Sequence, residues 1–124
     1  MKIALVLAVL SAPAAASAAS GDACFRTSEI NAHRKADDHT LNVRVGLKDV
    51  YRLTTKSSCL MGMSPSDALV IKTPPSGVVC KALDLDLAIR QSGAGAVGAT
   101  PCIVSSIVKL TPAQIEALPK DQRP

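Results

Sequence analysis

The chain has 124 residues, a formal net charge of +4, four cysteines, one Tyr, one Phe and no Trp. That length suits one domain once any leader is removed. The charge excess is too mild for a nucleic-acid protein, and the core must be built from Leu, Val, Ile and Ala.

Met1-Lys2, the apolar run Ile3 to Leu10 and the Ala/Ser-rich stretch after it form a secretory signal peptide, with Ala16-Ser17-Ala18 as the cleavage pattern. The expected organisation is a leader over 1–18 and one domain over 19–124. The apolar run is too short to cross a bilayer, which takes about 20 residues, and no second such run follows. Gly21-Asp22-Ala23 before Cys24 is a poor lipidation site. The product is therefore expected to be exported, periplasmic or secreted, and soluble after cleavage, with no transmembrane segment.

Phe25 to Ala36 is read as a first strand around Ile30, closed by the turn Ala36-Asp37-Asp38-His39. Thr40 to Val45 alternates, with Leu41, Val43 and Val45 on one face and Asn42 and Arg44 on the other. Val50 to Thr55 is the next strand, with Tyr51 and Leu53 facing inward. A two-residue turn would mix the two faces. A three-residue loop, Leu47 to Asp49, sets Val45 opposite Tyr51 and Val43 opposite Leu53, since the buried face fixes register. That register places Arg44 opposite Arg52, a repulsive pair that calls for something acidic nearby.

Ala68 to Thr73 is a further strand, ended by Pro74-Pro75-Ser76-Gly77. Leu83 to Arg90 alternates most cleanly, with its leucines and Ile89 inward and Asp84, Asp86 and Arg90 outward. Ser92 to Thr100 is a Gly/Ala loop, and Cys102 to Leu110 the last strand. Thr111 caps a short helix with Pro112 at its first position and Gln114 completing a capping box; Pro119 ends it. The prediction is a mainly β fold: a small antiparallel barrel or curled sheet of about six strands with a short C-terminal helix.

Cys24, Cys59, Cys80 and Cys102 all follow the leader, and an even count in a small exported chain reads as a disulfide framework. Zinc sites usually bring cysteines two to four residues apart, and these are spaced far wider. Three pairings exist. The preferred one is Cys59–Cys80 with Cys24–Cys102, contributing about 3 and about 4.5 kcal/mol on the chain-entropy model.

Cys24-Phe25-Arg26-Thr27, Ile30, Arg34, Asp37-Asp38 and Thr40-Leu41 together resemble the opening of domain-of-unknown-function family 6491, small exported bacterial proteins. Val50-Tyr51-Arg52-Leu53, Cys59-Leu60, Cys80 before Asp84, and Cys102 to Ile107 continue the likeness. His33 stands where an aromatic is common, and a usual Gly is displaced to Gly62. The resemblance implies an exported, cysteine-bonded β domain and brings no activity.

Gly93-Ala94-Gly95-Ala96-Val97-Gly98 has the dinucleotide spacing, but a strand follows it where a helix N-terminus would have to hold the pyrophosphate. It is read as a loop. Asp37, Asp38 and His39, with His33 nearby, are candidate metal ligands, although Asp-Asp is also ordinary turn chemistry. Asp84 and Asp86 read as a solvated face or as ion-pair partners of Arg44 and Arg52. No nucleophile elbow or Ser-His-Asp arrangement is present, and no cofactor signature. The functional expectation is a non-enzymatic envelope protein, binding or structural, that meets an acidic protein partner through Arg44 and Arg52. The alternatives are a metal binder or small enzyme using the Asp37-Asp38-His39 turn, and an inhibitor of an exported hydrolase using the Ser92–Thr100 loop.

Overall fold

The computed structural model describes residues 24–72, 74–92 and 98–124. The expected leader and residues 93–97 of the Gly/Ala loop lie outside them. Eight strands form among these residues: β1 (Phe25–Arg26), β2 (Ile30–Asp37), β3 (Thr40–Val45), β4 (Asp49–Thr55), β5 (Ala68–Lys72), β6 (Val78–Val79), β7 (Asp86–Arg90) and β8 (Thr100–Lys109). One helix follows, α1 (Pro112–Glu116). Six strands make an antiparallel sheet in the order β2-β3-β4-β8-β7-β5, curled into a half-barrel, and β1 pairs with β6 apart from it. The expected curled sheet is what the chain builds.

The concave face holds the core. Leu41, Val43 and Val45 of β3, Tyr51 and Leu53 of β4, Leu87 and Ile89 of β7, and Cys102 and Val104 of β8 are buried there. Period-2 alternation puts each strand's apolar set on one face. Phe25 and Tyr51, the lone Phe and the lone Tyr of the chain, meet with ring centroids 4.7 Å apart. Leu60 and Met63 reach the same core from the loop after β4.

The β3–β4 hairpin keeps the predicted faces but not the predicted register. Val45 pairs with Asp49, Val43 with Tyr51 and Leu41 with Leu53. The loop is thus Gly46-Leu47-Lys48, two register steps from the Leu47–Asp49 expectation. Gly46 has φ +66°, a left-handed conformation that an extended, paired residue does not adopt. The turn therefore begins at Gly46, and Asp49 joins β4. Glu29 and Asn31 hold the turn from the other side: the Gly46 N–H donates to the Glu29 carbonyl, and Asn31 Nδ2 donates to the Gly46 carbonyl.

The first expected strand is divided. A single 3-10 turn, Thr27–Glu29, separates β1 from β2. Leu83 is a correction as well. It does not face inward but sits 96% exposed in a second 3-10 turn, Ala82–Asp84. The Asp84 carboxylate makes that turn by accepting from the Cys80 and Lys81 amides, so alternation begins only at Leu85.

Both disulfides form, with a different pairing from the one preferred above: Cys24–Cys80 and Cys59–Cys102. The ladder explains the first. Phe25 pairs with Val79 and Arg26 with Val78, so the next step outward sets Cys24 against Cys80. The second ties the loop after β4 to β8, whose Cys102 lies beside Leu87 on the inner face. The first and last strands expected to share a bond belong to different sheets.

The C-terminal segment behaves as its sequence predicts and then goes further. Thr111 Oγ1 accepts from the Gln114 amide at 3.2 Å, and Gln114 Oε1 accepts from the Thr111 amide at 2.8 Å. Beyond α1 the chain turns back over the convex face. Leu118 and Ile115 pack on Val50 and Leu110 in a second, smaller core. Arg123 closes the segment by donating to the carbonyls of Glu116 and Leu118.

Candidate functional site

The convex face of β2, β3 and β4 carries the two arginines singled out by the sequence, and adds a third. Cross-strand pairing puts Arg34 beside Asn42 and Asn42 beside Arg52. Paired residues share a side of the sheet, so Arg34, Asn42 and Arg52 form one row across three strands. Arg44 lies in the next row, paired with Val50 on one side and Ala32 on the other. Arg44 and Arg52 are therefore diagonal neighbours. The head-on repulsion expected of them does not occur, because the hairpin register moves Arg44 away.

Neutral acceptors steady these side chains. Arg44 Nε donates to Asn31 Oδ1 at 2.7 Å, Arg52 Nε to Asn42 Oδ1 at 3.2 Å, and Arg34 Nη1 to the neighbouring His33 carbonyl at 3.1 Å. Asn42 is fully buried although it faces outward. The C-terminal segment covers it, and Asn42 Nδ2 donates to the Gln122 carbonyl at 3.0 Å. The ion pairs among the described residues are Lys35–Asp38 and Lys109–Asp49. No carboxylate of the described residues lies within ion-pair distance of Arg34, Arg44 or Arg52. Asp84 and Asp86 do not serve that role. Asp84 closes its 3-10 turn, and Asp86 on β7 pairs with Lys72 and Ile103, two strands away from β4.

Sequence reading missed Arg34 on this face because two bulges break the β2 ladder, between Ile30 and Ala32 and between Lys35 and Asp37. A bulge shifts the parity of every residue beyond it. The family resemblance is the one signal in the sequence that marks Arg34.

The Asp37-Asp38-His39 turn gives each member a local partner. Asp37 Oδ1 accepts the His39 amide at 2.8 Å, Asp38 pairs with Lys35 at 3.2 Å, and His39 Nδ1 lies 3.2 Å from the Thr55 carbonyl. The His39 amide holds the Asp37 carboxyl below the usual range. Among the described residues no three His, Cys, Asp or Glu side chains converge as a metal site would need.

Asp67 escaped the sequence reading altogether. It is buried at 3% exposure. One carboxylate oxygen accepts the Ser64 amide; the other accepts both the amide and the hydroxyl of Ser92, all at 2.8 Å. These bonds hold its pKa down to about 2. They join the loop after β4 to the chain leaving β7, a contact that no local pattern announces. His33 lies near Asp67 on the inward side of β2. Burial pushes its pKa down, against the raising effect of the Asp67 carbonyl, and its Nε2 is buried with no hydrogen-bond partner among the described residues.

None of the helices among the described residues is long and apolar enough to cross a membrane. No curated protein and no solved structure matches the chain. Over residues 1–124 the sequence matches a family described as a family of unknown function, DUF6491, and this chain belongs to that family.

Proposed function

We propose that this is an exported, non-enzymatic binding domain of the cell envelope, whose convex β2–β3–β4 face docks an acidic protein partner through Arg34, Arg44 and Arg52. One observation carries the reading: three guanidinium groups share a sheet face and none has a carboxylate in reach among the described residues. Guanidinium offers several N–H donors in a fixed fork, suited to carboxylates, and neutral asparagines occupy only part of that capacity. Half-buried arginines held by such bonds lose less freedom on binding than free surface lysines would. Two disulfides and the leader-like N-terminus support export.

Titration with polyglutamate at low salt tests the site. The protein should bind, and the double variant Arg44→Glu/Arg52→Glu should lose about tenfold or more in affinity, since reversed charges across an interface cost several kcal/mol. The wild-type affinity should also fall as salt rises. Equal binding by the double variant overturns the assignment. Export is tested by N-terminal sequencing of the protein from the producing cell, expected to begin near Ala19, together with a thiol count. Four free thiols in that material contradict the placement.

A further inference from the structure

We propose that the open seam of the half-barrel accepts an extended strand of a partner polypeptide, added to the free edge of β2, with apolar residues inward and acidic residues outward. The preference for acidic outward residues rests on the arginine-face reading above; the strand addition rests on the sheet itself.

β2 and β5 are the two ends of the sheet, so among the described residues each is paired on one side only. Their free edges do not face separate regions of solvent. A groove of about 520 Å³ is lined by Ile30, Asn31 and His33 from β2, by Leu69 and Ile71 from β5, and by Arg26. Unpaired edge N–H and C=O groups form a template for another strand, and β-strand addition uses such edges for affinity and side-chain pockets for specificity. Here the pockets are present. Ile30, Leu69 and Ile71 are partly buried against the core and leave an apolar floor. His33 lines the groove, and its buried Nε2 has no hydrogen-bond partner among the described residues.

Charge selects the strand. Arg26 and His33 line the groove, and among the described residues no carboxylate does. A strand added to β2 extends the convex face by one, so its outward side chains stand directly beside Arg34, with Arg44 one strand further in. Its inward side chains fall on Ile30, Leu69 and Ile71. Alternation of side chains along a strand then requires an apolar–acidic repeat. All neighbours in the sheet are antiparallel, so β2 and β5 run in opposite directions. The occupant is antiparallel to one edge and parallel to the other.

The test uses a peptide alternating Val and Glu, equal in length to β2 (8 residues), added to the intact oxidised protein and followed by amide hydrogen exchange and by ¹⁵N signals of the His33 ring. The expected result is slowed exchange at amides of Ile30 to Asp37 and a shifted His33 Nε2 signal. An analogue N-methylated at alternate residues should bind about tenfold more weakly, because it loses several edge hydrogen bonds. Arg34→Glu should weaken binding by a similar factor of about ten. Ile71→Lys should do so through the groove floor. The N-methylated analogue requires no change to the protein, so a variant that fails to fold does not decide the question. Polyglutamate bound through Arg44 and Arg52, with no protection of β2 by the alternating peptide, overturns strand addition and leaves the arginine face standing. Protection of β2 that is lost with the N-methylated analogue but insensitive to Arg34→Glu supports strand addition and removes its acidic preference. Equal binding of the methylated and unmethylated peptides overturns the proposal.

Discussion

Asp67 concentrates more of the tertiary structure than any other single polar residue of the described chain. Its carboxylate takes three hydrogen bonds from two serines on different loops, and each favours the charged form. With a folded pKa of about 2, below the ordinary value, the unfolded chain binds a proton first as pH falls. The stabilisation is therefore fully present above about pH 4, the ordinary aspartate range, and is lost as pH falls toward 2. Asp67→Asn should lower Tm at neutral pH and flatten the loss of stability between about pH 4 and pH 2, both read from thermal unfolding across pH. A variant with the wild-type acid limb would show that the limb belongs to another carboxylate. His33 works in the same direction at higher pH, since burial keeps it neutral in the folded state. It disfavours folding as pH falls below its ordinary range.

Among the elements, the C-terminal segment departs furthest from what its length suggests. A helix of 5 residues has little stability of its own, because nucleation is unfavourable and few turns repay it. The capping box and Pro112 fix where it starts, and Leu118 anchors it at 8% exposure against Val50 and Leu110. Leu118→Ala should cost about 2–4 kcal/mol, measured by denaturant unfolding. It should also free the Asn42 side chain, seen as faster exchange of its amide protons, because Gln122 would no longer be held over it. Thr111→Ala should cost about 1 kcal/mol through the lost cap. An unchanged midpoint in both variants would mean that the segment does not contribute to the fold's stability.

Considered as a whole, the molecule is a half-closed sheet with few aromatics, pinned at two places by disulfides. The bonds span sequence separations of 56 and 43 residues. On the chain-entropy model each contributes about 4 kcal/mol, a large fraction of the 5–15 kcal/mol typical of a domain, roughly speaking. Peptide mapping under non-reducing conditions should recover Cys24 linked to Cys80 and Cys59 linked to Cys102. Reduction should lower the unfolding midpoint sharply. Recovery of Cys59 joined to Cys80 would contradict the β1–β6 ladder as well as the bond. Closure at the seam between β2 and β5 is incomplete among the described residues, and there the molecule presents edge backbone, an apolar floor and the buried His33 Nε2 together.

Much of this was legible residue by residue. Alternation in Thr40 to Val45 and in Leu85 to Ile89 set which face is buried, because side chains of a strand alternate whatever their partners. Thr111, Pro112 and Gln114 set the helix start, since a cap acts within one turn of backbone. The even cysteine count pointed to two bonds, and two form. The sequence alone left open everything decided between distant segments. The pairing of the cysteines followed from β1 meeting β6. The register of the hairpin followed from the left-handed Gly46. The roles of Asp67, Asn42 and Arg34 arose from loops, a tail and bulged neighbours brought together by the curled sheet. Local patterns report what a residue presents to its own strand or turn; which chain arrives on the other side depends on burial of the whole apolar set at once.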